Sequence, residues 1–216
     1  MSIRLAEHRD IDDILRLLTQ VNMVHHRIRP DLFKGPATKY SREELEEKIR
    51  SWEDHSTDDR PEDGQPPEGQ SQDGQPPERQ PLERQFLERQ FLERQPLEDQ
   101  SPNRPSRTVP SPKDPVFVFP DDDGHILGYI FCEAQEVAES PLRTGIRTLY
   151  IDDLCVDETA RGRHVGRQLY EYAIAYARAN GFYNVTLHVW GGNDPALKFY
   201  QKMGMQNQYL CLEQIL

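Results

Sequence analysis

The run from Leu149 to Gly204, LYIDDLCVDETARGRHVGRQLYEYAIAYARANGFYNVTLHVWGGNDPALKFYQKMG, restricts the fold more than any other part of the chain. It reads as strand, glycine-bearing turn, helix, strand, helix. Arg147–Val156 predicts the first strand, and apolar residues at helical spacing predict a helix over His164–Asn180. A second strand over Asn184–Trp190 and a helix over Asp194–Met203 follow. The turn Arg161-Gly162-Arg163-His164-Val165-Gly166 opens the first of these helices. A helix start presents unpaired N–H groups and the positive end of the helix dipole, a general means of holding phosphate. A phosphorylated cofactor is therefore the expectation.

Upstream, Ser2–Ala6 predicts a short strand. Asp10 is placed as the cap of a helix with Ile11, Ile14, Leu15, Leu17 and Leu18 at apolar spacing. Val21–Lys39 reads as irregular. Ser41 with Glu44 forms a capping box that opens a helix to about Trp52. Val116–Pro120, the turn Asp121–Gly124 and His125–Val137 read as a hairpin. Gln208–Glu213 predicts a last strand.

Between these parts the composition changes. Residues 53–114 hold 11 of the 17 prolines, with 15 Asp/Glu against 8 Lys/Arg. From Gly64 they form a pentapeptide array, GQPPE, GQSQD, GQPPE, RQPLE, RQFLE, RQFLE, RQPLE, DQSPN. A period of five matches neither the helix nor the coiled coil. Proline and glutamine enrichment predicts a disordered insertion. Its removal leaves about 154 residues, the size of one domain, discontinuous over 1–52 and 115–216.

The net charge is −11, of which the insertion carries −7. The remainder is mildly acidic, which gives nucleic acid no footing as a partner. Cys132, Cys155 and Cys211 show no metal-like or redox spacing, and Cys132 and Cys155 sit in strand-like runs as small hydrophobes. The odd cysteine count and an N-terminus unlike a signal peptide predict a cytoplasmic protein. No run of about 18 apolar residues predicts a membrane span.

The turn, with the order of elements around it, resembles the GNAT superfamily of acetyl-CoA-dependent N-acetyltransferases. Its cofactor motif is Arg/Gln-x-x-Gly-x-Gly/Ala, matched here by Arg161, Gly162, Arg163, His164, Val165 and Gly166, with His164 where glycine is usual. A residue at that place is expected to have helical φ/ψ. Ile151-Asp152-Asp153-Leu154-Cys155-Val156 resembles the superfamily strand that ends in an acidic pair and Leu-x-Val. The resemblance implies that Leu154, Cys155 and Val156 pair with the amide arm of acetyl-CoA as an added strand would. Asn193-Asp194-Pro195-Ala196 and Phe199-Tyr200 resemble the segment that follows, which implies that Asn193 contacts the cofactor, caps the helix or does both, and that Tyr200 is the general acid for the departing thiolate. A mixed α/β fold follows, with a mostly antiparallel central sheet flanked by helices.

A base is also needed, because an amine of pKa about 10 is protonated at neutral pH. By period two Asp152 shares a face with Leu154 and Val156, and it leads as a base acting through water. His188 is second, since an imidazole near about 6.5 suits proton abstraction. Asp153, on the other face by the same period, joins Phe33 and His26 as acceptor-side residues; His25 and His26 lack partners at metal-ligand spacing. The implied partner is an amine acceptor, small molecule or protein, and a homodimer is an open arrangement. A different class is also open: a catalytically weak acyl-CoA-binding module whose array recruits a partner.

Overall fold

The structure, a computed structural model, describes residues 2–53 and 114–216. The insertion expected over 53–114 lies, apart from its two end residues, outside the described residues.

Five strands form one sheet in chain order: β1 (Arg4–Leu5), β2 (Val116–Pro120), β3 (Ile126–Val137), β4 (Ile146–Val156) and β5 (Asn184–Leu187). The first four pair antiparallel, and β4 pairs β5 in parallel. The helices are α1 (Ile11–Ile28), α2 (Arg42–Glu53), α3 (Val165–Ala179) and α4 (Asp194–Lys202). Helix α3 joins the parallel pair, as such a crossover requires.

Strand β2 reads VFVFP because it is covered on both faces. Val116 and Val118 turn to a core with Ile11, Ile14, Leu17 and Leu18 of α1 and Leu45 and Ile49 of α2. Phe117 and Phe119 turn to a second core with Val165, Leu169, Ala173 and Ala177 of α3. The sheet thus lies between α1 and α2 on one side and α3 on the other. Each fully buried Ile or Leu contributes about 1.5–3 kcal/mol, so the apolar stripe of α1, rather than helix propensity, fixes that helix on the sheet. Among the described residues no helix is long and apolar enough to cross a membrane.

Several expectations need correction. Helix α1 runs on through Val21–Ile28, part of the segment expected to be irregular. Asp10 stands at its N-cap without capping it. The carboxylate accepts instead from the Glu7 N–H at 2.8 Å and from the Arg4 guanidinium at 2.6 and 2.9 Å. Ser41 and Glu44 do form the capping box. Strand β1 is two residues rather than five, and β5 stops at Leu187, short of Trp190. Gln208–Glu213 forms no strand: the segment is exposed and makes no main-chain bond to β5. Its apolar residues have no sheet face to cover them, with Leu210 78% and Leu212 83% exposed. Side chains hold it instead, through Arg29 to Glu213 at 2.7 Å and His188 to Tyr209.

Candidate active site

Parallel pairing of β4 with β5 begins at Thr148 and Asn184 and ends at Ile151 and Leu187, yet β4 continues to Val156. From Asp152 onward one edge of β4 is therefore unpaired, and its main-chain groups are open to an extended, amide-bearing ligand. Helix α3 begins beside this edge. A β-carbon placed on Gly166 would lie 3.3 Å from Val156 Cγ2 and 3.8 Å from both Leu154 Cδ2 and Phe199 Cζ. The absence of a side chain at Gly166 thus lets α3 sit against the open strand. This contact brings the three separate motif segments together.

The first main-chain bond of α3 runs from the Gln168 N–H to His164 O, so the N–H groups of Val165, Gly166 and Arg167 have no main-chain acceptor. No acidic residue lies in that first turn, while Arg161, Arg163 and Arg167 surround it, exposed. Among the described residues Arg161 forms an ion pair with Glu158 at 3.7 Å. His164 departs from its expected helical geometry: at φ 63° and ψ 11° it is left-handed, and its side chain makes no cap bond. Chain reversal into α3 demands that conformation, which glycine adopts without strain and histidine does not. At the other end of the site, Asn193 Oδ1 accepts from the Ala196 N–H at 3.4 Å and caps α4.

The acidic pair follows a different rule from the one its spacing suggested. The β3–β4 register slips between Phe131 and Cys132, so that Phe131 faces Asp153 and Cys132 faces Ile151. Asp152 is the extra residue of a bulge, and the period of two breaks there. Asp152 therefore does not share the face of Leu154 and Val156, which pack with α3. Both carboxylates point toward the α1 and α2 side. Asp152 accepts from the Tyr40 hydroxyl at 2.8 Å and pairs with the Lys39 ammonium. Asp153 accepts from the Tyr129 hydroxyl at 2.8 Å. Tyr40 and Tyr129 both pack on Phe131, with ring centroids 5.3 and 5.0 Å away.

Burial pushes the Asp153 carboxyl up to about 6; the Tyr129 bond and the Lys39 charge oppose that rise, and the neighbouring Asp152 charge adds to it. Burial, with help from the Asp153 charge, drives the Tyr200 phenol well above its ordinary range. Tyr200 packs against Phe199 and Tyr170 in the α3-side core. It remains a protonated phenol at neutral pH. Burial also pushes the Cys155 thiol up to about 12, and its Sγ donates to Leu17 O at 3.4 Å on the far face from the open edge. That is a neutral packing thiol rather than an activated nucleophile.

His188 lies just past β5, exposed. Its Nδ1 is 3.0 Å from the Tyr150 hydroxyl and its Nε2 meets the Tyr209 hydroxyl. Both ring nitrogens are engaged by phenols and neither by a carboxylate. His26 donates from Nδ1 to Phe33 O at 2.7 Å, and the Phe33 ring lies tilted against His25 and edge-on to Trp190, with ring centroids 5.0 Å away in each case. Burial, followed by the Lys39 charge, lowers the His25 pKa.

Lys39, Tyr40, Tyr129 and Tyr150 were not singled out from the sequence. Tyr150 could have been, as it lies two residues before Asp152 on one strand. Lys39 and Tyr40 come from an irregular loop and carry no local signal.

The comparisons with known proteins bear on the family and the fold. A family model described as Acetyltransferase (GNAT) family matches residues 80–205, more than half of the chain. Among curated relatives, YwnH of Bacillus subtilis, whose name assigns it provisionally to phosphinothricin acetylation, is 29% identical over 42% of this chain and 52% of its own. An uncharacterized N-acetyltransferase of Methanocaldococcus jannaschii is 29% identical over 40% of this chain and 37% of its own. The chain thus spans about half or less of the length of these relatives. Among solved structures, a mutant of the BH1408 protein of Bacillus halodurans superimposes with a TM-score of 0.68 at 24% identity, covering 100% of this chain and 99% of that one. Glucosamine-6-phosphate N-acetyltransferase from Arabidopsis thaliana follows with a TM-score of 0.53 at 18% identity, covering 99% and 97%. At these identities the structures speak for the fold.

Proposed function

The chain belongs to the GNAT acetyltransferase family, and from that premise we propose that it moves the acetyl group of acetyl-CoA to a primary amine of a small molecule or protein, by direct attack with both substrates bound. The observation that carries this reading is the open edge of β4 from Asp152 to Val156 beside the unpaired N–H groups of α3. The first suits a pantetheine amide arm and the second a pyrophosphate. Bound there, acetyl-CoA supplies an activated thioester.

Leu154, Cys155 and Val156 contribute main-chain groups along the arm. Gly162 and residues 163–166 form the phosphate turn with Arg161, and Asn193 holds the start of α4. The two carboxylates exchange the roles suggested by spacing alone. Asp152, bonded to an ammonium and a phenol, is suited to hold the acceptor amine; Asp153, pushed up to about 6, is suited to take its proton. Tyr200, held protonated, supplies a proton to the departing sulfur. His188 remains a second proton acceptor through Tyr150. Phe33 and His26 frame the acceptor side.

A thiol-release assay over a panel of amines and amino acids tests the reading. Release that depends on acetyl-CoA, on the amine and on Tyr200 supports it. Binding of acetyl-CoA without release for any amine would instead support an acyl-CoA-binding module.

A further inference from the structure

The amine in contact with the site carboxylate is the chain's own. Lys39 pairs with Asp152 Oδ1 while the Tyr40 hydroxyl takes Oδ2, and the Asp152 side chain is only 9% exposed. Lys39 itself is 49% exposed and stands in the loop between α1 and α2, outside any helix. The ammonium therefore has room to move even though its partner is nearly covered. Its charge is felt at Asp153 and at His25 as well. An amine in solution must displace both Lys39 and Tyr40 to reach Asp152. Lys39 needs no such displacement and has the advantage of an intramolecular reactant.

We propose that Lys39 is itself an acetyl acceptor, a self-modification site of the enzyme; this rests on the acetyltransferase reading above. The Lys39 nitrogen forms a bond to the acetyl carbon of acetyl-CoA as the carbon–sulfur bond breaks. Of the two protons the nitrogen sheds, one reaches the leaving sulfur through Tyr200 and the other leaves through the acidic pair to solvent. The products are acetyl-lysine, CoA and one proton. Acetylation removes the positive charge and so ends the ion pair that covers Asp152. Lys48 provides an internal comparison. Its ammonium lies 5.5 Å from the same Tyr40 ring where that of Lys39 lies at 5.6 Å, but its partners do not include Asp152.

The test incubates the full-length chain with acetyl-CoA and no amine, followed by intact mass and peptide mapping, in parallel with the amine panel. One acetyl group per chain is expected, at Lys39 at least about tenfold faster than at Lys48. The rate should be first order in protein, and Lys39→Arg should abolish it. Amine acetylation with Lys39 unmodified would overturn this inference and leave the acetyltransferase reading standing. Labelling spread evenly over Lys34, Lys39, Lys48 and Lys198, as heat-denatured chain would give, overturns it equally. Neither labelling nor thiol release with any amine overturns both readings together.

Discussion

Replacing His164 with glycine should make this protein more stable, although it removes a side chain. His164 is the one non-glycine residue with positive φ among the described residues, at 63°. A β-carbon in that conformation costs about 1–2 kcal/mol. The imidazole is exposed and makes no cap bond, so its loss leaves nothing unpaired. Glycine returns about 0.5–1 kcal/mol of this gain as extra freedom of the unfolded chain. The balance is a stabilisation of about 0.5–1 kcal/mol, or a rise in Tm of about 1–4 °C for a domain of this size. Thermal melts of wild type, His164→Gly and His164→Ala measure it. Alanine keeps the β-carbon and should leave Tm unchanged within about 1 °C. Acetyl-CoA should also bind His164→Gly more tightly, by up to about tenfold, the worth of one better-made hydrogen bond to a charged group. Equal shifts for the glycine and alanine variants would refute the argument, because the β-carbon would then not be the source of strain. A fall in Tm for glycine alone would refute it too.

Three further outcomes follow from the site and its frame. Tyr200→Phe should lower kcat by about 10²–10⁴-fold with little change in acetyl-CoA affinity; an unchanged kcat would remove Tyr200 as the acid. Asp153 is raised to about 6 in the fold, so its ionisation, favoured in the unfolded chain near about 4, costs stability progressively as pH rises from about 4 through 6. The wild type should lose stability over that window relative to Asp153→Asn, and its kcat/KM should show a rising limb near pH 6 that the variant lacks; superimposable stability and rate profiles would dismiss the base. Gly128→Ala places a β-carbon 2.8 Å from Cys155 O, main chain that cannot yield. It should destabilise by about 1–3 kcal/mol, read in chemical denaturation, and a neutral result would mean that β3 and β4 can separate there.

Much of the site was legible because its cause is local. A helix start after a glycine turn dictates unpaired N–H groups wherever the chain goes. The second helix was readable from Ser41 and Glu44, whose reciprocal bonds lie within one turn. Failures occurred where neighbours decide. The bulge that turns Asp152 away from Leu154 is a property of two strands, since only the register against β3 reveals an extra residue. Asp10 is a cap by spacing, but the Arg4 guanidinium supplies a stronger partner. The apolar tail at 208–213 has the composition of a strand but makes no main-chain bond to the sheet; side chains hold it instead.

By itself the sequence determined the alternation of strands and helices up to the last helix, the glycine-bearing turn with its histidine, and the acidic pair and tyrosine as the groups of chemical interest. Those depend on periodicity and on the few residue types that can carry a proton or an unusual φ. Only the tertiary structure decided that pairing of β4 with β5 stops before Asp152, which leaves an open edge. It alone brought Lys39 and Tyr40 onto Asp152 across more than a hundred residues, and set Asp153 deep enough for burial to raise its pKa. Charge and burial are sums over every neighbour in space, and a linear order of residues does not contain them.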